Sequence, residues 1–250
     1  MGGALIHGWA KSGKIKDLTI ADKNQSLLES FKQTYPDIHV TTDNAFAVRN
    51  ADVIVIVVKP WLMPIVLKEI KAYINLSQQI LVSDAANYTT EMLAEEFGDE
   101  YGQYVYVIPN IAAEFGASMN FIAKGKNTSQ HSLDVVQGLY KIVGDTLAVP
   151  ESLVGPGMMM ASSGIAYVMR YIRAQMSAGV QMGFYPEQAK QIALQTMEGA
   201  VRLLKETGMH PEAAIDKVTT PGGVTIKGLN QLDDEGFNGV VIKGMLAGLK

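Results

Sequence analysis

Two short runs do most to limit what this chain can fold into. ADVIVIVV (51–58) and QILVSDA (79–85) carry apolar residues at successive positions, so a strand formed by either has no polar face to turn toward water. Such strands belong in the middle of a sheet that is covered on both sides. Around them the chain alternates further strand-like runs, DLTIAD (17–22), IHVTT (38–42), YVYVIPN (104–110), MNFIA (119–123) and DTLAVP (145–150), with helical patterns in QSLLESFKQTY, PWLMPIVLKEIKAYI and SLDVVQGLYKIV. Strand–helix–strand units of this kind predict a mostly parallel α/β sheet over residues 1–150. The opening MGGALIHGW has the spacing of a helix, whereas a dinucleotide-binding sheet normally places a strand and a Gly-rich turn ahead of its first helix. Either the chain is truncated or mis-started upstream of Met1, or the fold does without that strand, and in both cases the sheet is expected to lack it here.

After Pro150 the pattern becomes helical throughout, which sets off a second domain at 151–250. From Met158 to Met182 the residues Ile165, Val168, Met169, Ile172, Met176 and Val180 keep helical spacing, and a second long helix starts at Pro186. Further helices are predicted from Pro211, from near Gly222 and through the C-terminal segment. Long amphipathic helices in so small a domain fit either packing against a second copy of the chain or an internal four- or five-helix bundle.

A formal charge of -4, with Lys and Arg scattered, leaves no basic surface for nucleic acid. No apolar run is long enough to cross a bilayer, and the N-terminus has no signal-peptide pattern. The absence of cysteine rules out disulfides, thiolate metal sites and a cysteine nucleophile, and it fits a cytoplasmic protein. Small molecules are the expected ligands.

Residues able to hold them gather at predicted strand ends. The strand 17–22 runs into Asp22, Lys23 and Asn24, where an acid suits a ribose 2′-hydroxyl and a base a 2′-phosphate. Val57, Lys59 and Pro60 end the buried strand 51–58. Asp43 with Asn44, Ala85 with Ala86, and Pro109 with Asn110 follow other strands, so all of these fall on one rim. Singly, each also reads as an ordinary solvated turn. In TTPGGVTIKGL (219–229) a proline and two glycines precede a helix, and the turn either caps that helix or gathers peptide N–H groups for a small anion. His7, His39, His131 and His210 have no metal-ligand spacing. Ser162-Ser163-Gly164 lacks a nucleophile-elbow frame, and Asp233-Asp234-Glu235 reads as a solvated helix end.

Taken in order, MGGALIHGW, TTDNAFAVRNADVIVIVVKP, VIPN, SSGIAY, AGVQMGF, ALQTMEGA, KVTTPGGVTIKGL and EGFNGVV resemble the pyrroline-5-carboxylate reductase family along nearly the whole chain. The resemblance implies a Rossmann-like domain followed by an all-helical dimerisation domain. It implies NAD(P)H-dependent reduction of 1-pyrroline-5-carboxylate to L-proline, with NADPH preferred and NADH possible. By the same resemblance, Thr220, Gly223 and Thr225 hold the substrate carboxylate and Ser163 lies near the ring. The cofactor would meet Gly2, Lys23, Asn24, Asn44, Val57, Lys59, Pro60, Ala85, Pro109 and Asn110. A homodimer or higher homo-oligomer is implied. The chain departs from the family in four places: the Gly-x-Gly turn is represented only from Met1-Gly2, Tyr106 replaces an arginine and Ile108 a methionine, Ala161–Ile165 replaces Ser-Gly-Ser-Gly-Pro, and Met158–Met160 replaces a Thr-Ala-Leu. Those departures leave room for a reductase of a related cyclic imine, or for a non-catalytic cofactor- or metabolite-sensing relative.

Overall fold

The computed structural model describes residues 1–98 and 102–249, which form two compact units, Met1–Ser162 and Ser163–Lys250. In the first unit the strands are β1 (Thr19–Ala21), β2 (His39–Thr41), β3 (Val53–Ile56), β4 (Ile80–Ser83), β5 (Gln103–Ile108), β6 (Ser118–Lys124) and β7 (Gly144–Ala148). Its helices are α1 (Gly2–Ser12), α2 (Gln25–Thr34), α3 (Asn44–Val48), α4 (Met63–Ile70), α5 (Thr90–Phe97), α6 (Gln130–Lys141) and α7 (Val154–Gly157). Each strand expected from the sequence is present, in most cases trimmed by a residue or more at its ends.

The strands make a five-stranded sheet, β3-β4-β5-β6-β7, and a separate two-stranded sheet, β1-β2. Every pairing is parallel except β5 with β6, where Val105 lies opposite Lys124. A doubly wound sheet places the strand that precedes its first helix between the positions held here by β1 and β3. Among the described residues no strand holds that position, and β1-β2 and β3-β7 form two sheets.

The two-faced apolar pattern of β4 follows from its place in the sheet: all four of its residues are buried. Ile80 and Val82 join Leu5 and Trp9 of α1 and Val136 and Tyr140 of α6 on one face. Leu81 joins Met63 and Leu67 of α4 and Leu93 of α5 on the other. Side chains of this size gain about 1.5–3 kcal/mol each from full burial, so a polar residue on either face would forfeit a layer contact. The small residues of α1 are also explained. A Cβ at Gly8 would stand 2.2 Å from the Ala113 carbonyl oxygen, so only glycine lets α1 lie against the turn Ile111–Phe115. The neighbouring Trp9 donates its indole N–H to the Leu139 carbonyl at 3.1 Å.

A π-helical segment, Met158–Ser163, leads into the second unit, whose helices are α8 (Gly164–Gln181), α9 (Pro186–Thr207), α10 (Pro211–Val218), α11 (Val224–Asp234) and α12 (Phe237–Ala247). α8 and α9 approach closely where Gly179 meets Ala189; a Cβ at Gly179 would lie 2.9 Å from that alanine's Cβ. Among the described residues, α8 and α9 bury Gly164, Gly179, Ala189 and Ala193, and α10, α11 and α12 bury none. The unit is not an internal bundle with its own core. Met169, Ile192, Val201, Val240, Ile242 and Leu246 are all roughly half exposed or more in the single chain.

Candidate functional site

β1 pairs parallel with β2, and β3, β4 and β5 pair parallel in turn, so within each sheet the carboxyl ends lie on one edge, and the loops that follow them carry the expected rim residues. At the end of β1, Asp22 Oδ1 accepts the Asn24 N–H at 2.8 Å, while Asn24 Oδ1 accepts the Leu27 N–H at 3.1 Å and so caps α2. The Asn24 side chain is thus committed to the helix it starts. Lys23 points elsewhere. Its Nζ donates to Glu69 Oε2 at 3.2 Å, and Asn44 Nδ2 donates to the same oxygen at 2.6 Å. The Asn44 amide, then the Lys23 ammonium, hold the Glu69 carboxyl below its ordinary range. Two donors and an acceptor from the end of β1, the start of α3 and the body of α4 converge here, a set able to bind a sugar hydroxyl or a phosphate.

Next along the rim, Val57 lies against the start of α1, with an added Cβ at Gly2 only 3.8 Å from the Val57 Cβ. The N-terminus of α1 has no side-chain cap, so its first peptide N–H groups can receive an anion. Lys59 is exposed, with Nζ 6.0 Å from the Trp61 ring centroid, and Pro60 opens the short turn Pro60–Leu62.

After β4 the chain turns through the buried Ala85 to Asn87, the one non-glycine with positive φ (60°) among the described residues. The Asn87 N–H donates to the Tyr106 hydroxyl at 2.9 Å, so Tyr106 anchors this loop. Burial pushes the Tyr106 phenol up from its ordinary range. At the end of β5, Pro109 and Asn110 are buried. Asn110 Oδ1 accepts the Ala112 N–H at 2.9 Å and its Nδ2 donates to the Ala161 carbonyl at 3.4 Å. The Asn110 amide, expected to meet the cofactor, therefore first holds its own chain, and offers a ligand its second amide hydrogen.

The glycine-containing turn lies in the second unit. Gly222 takes φ 71°, and the Gly223 N–H donates to the Thr220 carbonyl at 2.9 Å. A Cβ at Gly223 would stand 2.5 Å from Thr220 Oγ1, so glycine keeps this corner open. Gly223 is the N-cap of α11 and provides no side-chain cap, which leaves the N–H groups of Val224, Thr225 and Ile226 at the helix start for another acceptor. Thr219 is not part of this set, because its hydroxyl bonds back to the Ile215 and Asp216 carbonyls. Ser163 closes the π-helical segment Met158–Ser163 just before α8. Thr220, Gly223, Thr225 and Ser163 belong to the second unit and the rim residues to the first.

Two residues of the rim escaped the sequence reading. Glu69 sits in an amphipathic helix, and nothing in its local sequence marks it as the partner of Lys23 and Asn44. Asp84 had a signal, an acid inside an otherwise apolar strand run, and such residues are seldom buried without a purpose. It is 8 % exposed, and burial pushes its carboxyl up to about 8.

Comparison with known proteins bears on the chemistry. Residues 151–250 match the pyrroline-5-carboxylate reductase dimerisation family, and residues 1–87 match the family described as NADP oxidoreductase coenzyme F420-dependent. A pyrroline-5-carboxylate reductase of Methanosarcina acetivorans is 33% identical over 98% of this chain and 91% of its own. The chain belongs to the pyrroline-5-carboxylate reductase family. The reductase of Aquifex aeolicus is 32% identical over 97% of the chain and 89% of its own length. Among solved structures, the Plasmodium falciparum pyrroline carboxylate reductase with NADP bound superposes with a TM-score of 0.86 at 27% identity, covering 99% of this chain and 91% of that one. The family thus pairs a Rossmann-like nucleotide-binding domain with a helical dimerisation domain, and this chain carries both. Among the described residues no helix is long and apolar enough to cross a membrane.

Proposed function

We propose that this protein reduces 1-pyrroline-5-carboxylate to L-proline, the last step of proline biosynthesis, at the expense of NADPH or NADH. The observation that carries the reading is the uncapped start of α11 at Thr220–Gly223, in a chain similar to these reductases over its whole length. The N–H groups of Val224 and Thr225, with the Thr220 and Thr225 hydroxyls, would hold the substrate carboxylate, and Gly223 leaves room for it. Ser163 would lie beside the ring.

The rim residues fit a dinucleotide: the uncapped N-terminus of α1 at Gly2 suits the pyrophosphate, Lys23 and Asn44 the adenosine ribose or its 2′-phosphate, and Val57, Lys59, Pro60, Ala85, Pro109 and Asn110 the nicotinamide end. Asn24 contributes by capping α2 beneath the ribose position. When bound, a reduced nicotinamide supplies the hydride that the imine carbon accepts. The ring nitrogen takes a proton, and the resulting iminium makes that carbon electrophilic, so the protein's task is to fix the geometry rather than to supply a strong base. The bare apolar faces of the second unit support a homodimer or higher homo-oligomer, and the cysteine-free sequence supports a cytoplasmic setting.

Oxidation of NADPH and NADH in the presence of 1-pyrroline-5-carboxylate tests the reading directly. Turnover above the enzyme-free rate is expected, and Thr225→Ala should raise KM for the imine about tenfold, the loss of one hydrogen bond to a charged group, with little change in cofactor KM. Tight cofactor binding by the folded protein without turnover of this imine would overturn the substrate assignment. It would direct attention to the altered segment Ala161–Ile165 and to related cyclic imines or a sensing role.

A further inference from the structure

Asp84 is the sole acidic side chain buried in the structure among the described residues, and the reaction proposed above gives it no work. Its surroundings do. The Asp84 N–H donates to the Ile56 carbonyl at 3.0 Å, tying the end of β4 to the end of β3. Its Oδ1 accepts the Tyr140 hydroxyl at 2.6 Å. At its other end, the backbone of Tyr140 opens a second series of hydrogen bonds: the Tyr140 carbonyl accepts Asn120 Nδ2 at 3.3 Å, Asn120 Oδ1 accepts the Ser118 hydroxyl at 2.7 Å, and Ser118 Oγ accepts the Asn110 N–H at 2.9 Å. Ser118 is 3 % exposed, and Asn120 and Tyr140 are fully buried. The run starts beside Ala85 and finishes at Asn110, two residues of the nicotinamide end of the rim.

We propose that Asp84 is a positioning residue for the cofactor: through Tyr140, Asn120 and Ser118 it fixes the carboxyl ends of β4 and β5, and with them Ala85 and Asn110, at the separation that a bound nicotinamide spans. This rests on the reading of the rim as the dinucleotide site. Side chains linked in this way act together, so removing one link costs more than its own hydrogen bond.

The carboxyl does this as a neutral acid. Burial raises its pKa to about 8, against the opposing pull of the Tyr140 hydrogen bond and of the α-amino group at the start of α1. The other titratable groups facing it are phenols, Tyr140 from α6 and Tyr106 from β5, both held above their ordinary range by burial, with Glu151 beyond Tyr106. Asp84 Oδ2 is buried and has no hydrogen-bond partner among the described residues. Ionisation therefore places charge on an oxygen with nothing to donate to it, and the end of β4 has to shift or admit water to accommodate it. A carboxyl whose folded pKa is raised contributes stability that is complete below about pH 4 and is lost progressively as pH rises to about 8.

The test measures the Kd of NADH from the fluorescence of the reduced nicotinamide between pH 6.5 and 9.5, for the whole protein and for Asp84→Asn and Tyr140→Phe. NADH is the probe because it has no 2′-phosphate to titrate. For the unmodified protein, affinity should fall severalfold as pH passes through about 8. Asp84→Asn keeps an acceptor for Tyr140 and cannot ionise, so its affinity should be flat across the range. Tyr140→Phe breaks the run and should weaken NADH about tenfold at pH 7, while circular dichroism confirms the fold. A merely structural role would change melting temperature and leave the pH profile of affinity unmoved. If Asp84→Asn retains the pH-dependent fall, or if the unmodified protein shows none, the proposal is wrong even though the rim binds cofactor. If the folded protein binds neither NADH nor NADPH at any pH, the rim reading fails and takes the proposal with it.

Discussion

A single oxygen, Glu69 Oε2, accepts hydrogen bonds from both Lys23 and Asn44, the two donors that the proposed reading gives to a ribose 2′-phosphate. A dianionic phosphate has to displace that carboxylate or sit beside it, whereas a 2′-hydroxyl can donate to it. Glu69→Gln removes the charge and keeps the shape, so it should raise the ratio of kcat/KM for NADPH over NADH by about fivefold to tenfold, a modest gain because the site is solvated. An unchanged ratio, measured by initial rates with both cofactors, would show that Lys23 and Asn44 do not meet the 2′-position. The residue scale also shows what local sequence can reveal. Lys23, Asn44 and Asn110 were legible because each follows a strand, and parallel strands deliver their ends to one edge. Glu69 was not, because its partners Lys23 and Asn44 lie far from it in the chain and only the fold brings them together. For Asn24 and Asn110 the chain's own backbone claimed side-chain groups that sequence reasoning had assigned to a ligand.

Among the elements, α1 shows most directly how sequence becomes packing. Helix propensity favours alanine over glycine by about 1 kcal/mol at an interior position. At Gly8 that gain is outweighed, since the new methyl would stand 2.2 Å from the Ala113 carbonyl oxygen and 2.7 Å from Val143 Cγ1, and overpacking of a rigid neighbour costs about 1–3 kcal/mol or more. Gly8→Ala should therefore lower the melting temperature by several degrees, as read by circular dichroism, and weaken cofactor binding through the displaced start of α1. A melting temperature at or above that of the parent would mean that α1 is not seated on the turn at Ile111–Phe115. The strands themselves were readable from runs such as ADVIVIVV, because burial on two faces leaves a compositional mark. Their ends were less so: Val57 and Val58 continue the apolar run of β3 beyond its last paired residue, Ile56, since the edge of the sheet is also lined by apolar side chains. The antiparallel placement of β6 left no such mark, since a strand's direction does not change its composition.

For the whole molecule, the second unit raises the largest question of stability. Its helices carry the spacing of a buried face, yet Val201 is 50% exposed and Ile242 58% exposed in the single chain. From sequence alone, an internal bundle and a shared interface gave the same pattern, because periodicity reports that a face is apolar and not what covers it. The fold decides against the internal bundle, and membership of a family with a dimerisation domain points to other copies of this chain as the cover. Glutamate at Val201 or Ile242 separates the possibilities. At a solvent-facing site in a monomer, such a change is worth within about 0.5 kcal/mol and would pass unnoticed. At a desolvated interface it leaves an unpaired charge, repeated in each copy, and several kcal/mol are lost from association. Sedimentation equilibrium should therefore show an oligomer for the unmodified protein and a shift to the monomer mass for Val201→Glu combined with Ile242→Glu, with the far-ultraviolet spectrum of the first unit's sheet retained. A protein that sediments as a monomer before any substitution would remove the interface, and it would leave the exposed apolar faces of α9 and α12 to a partner of another kind.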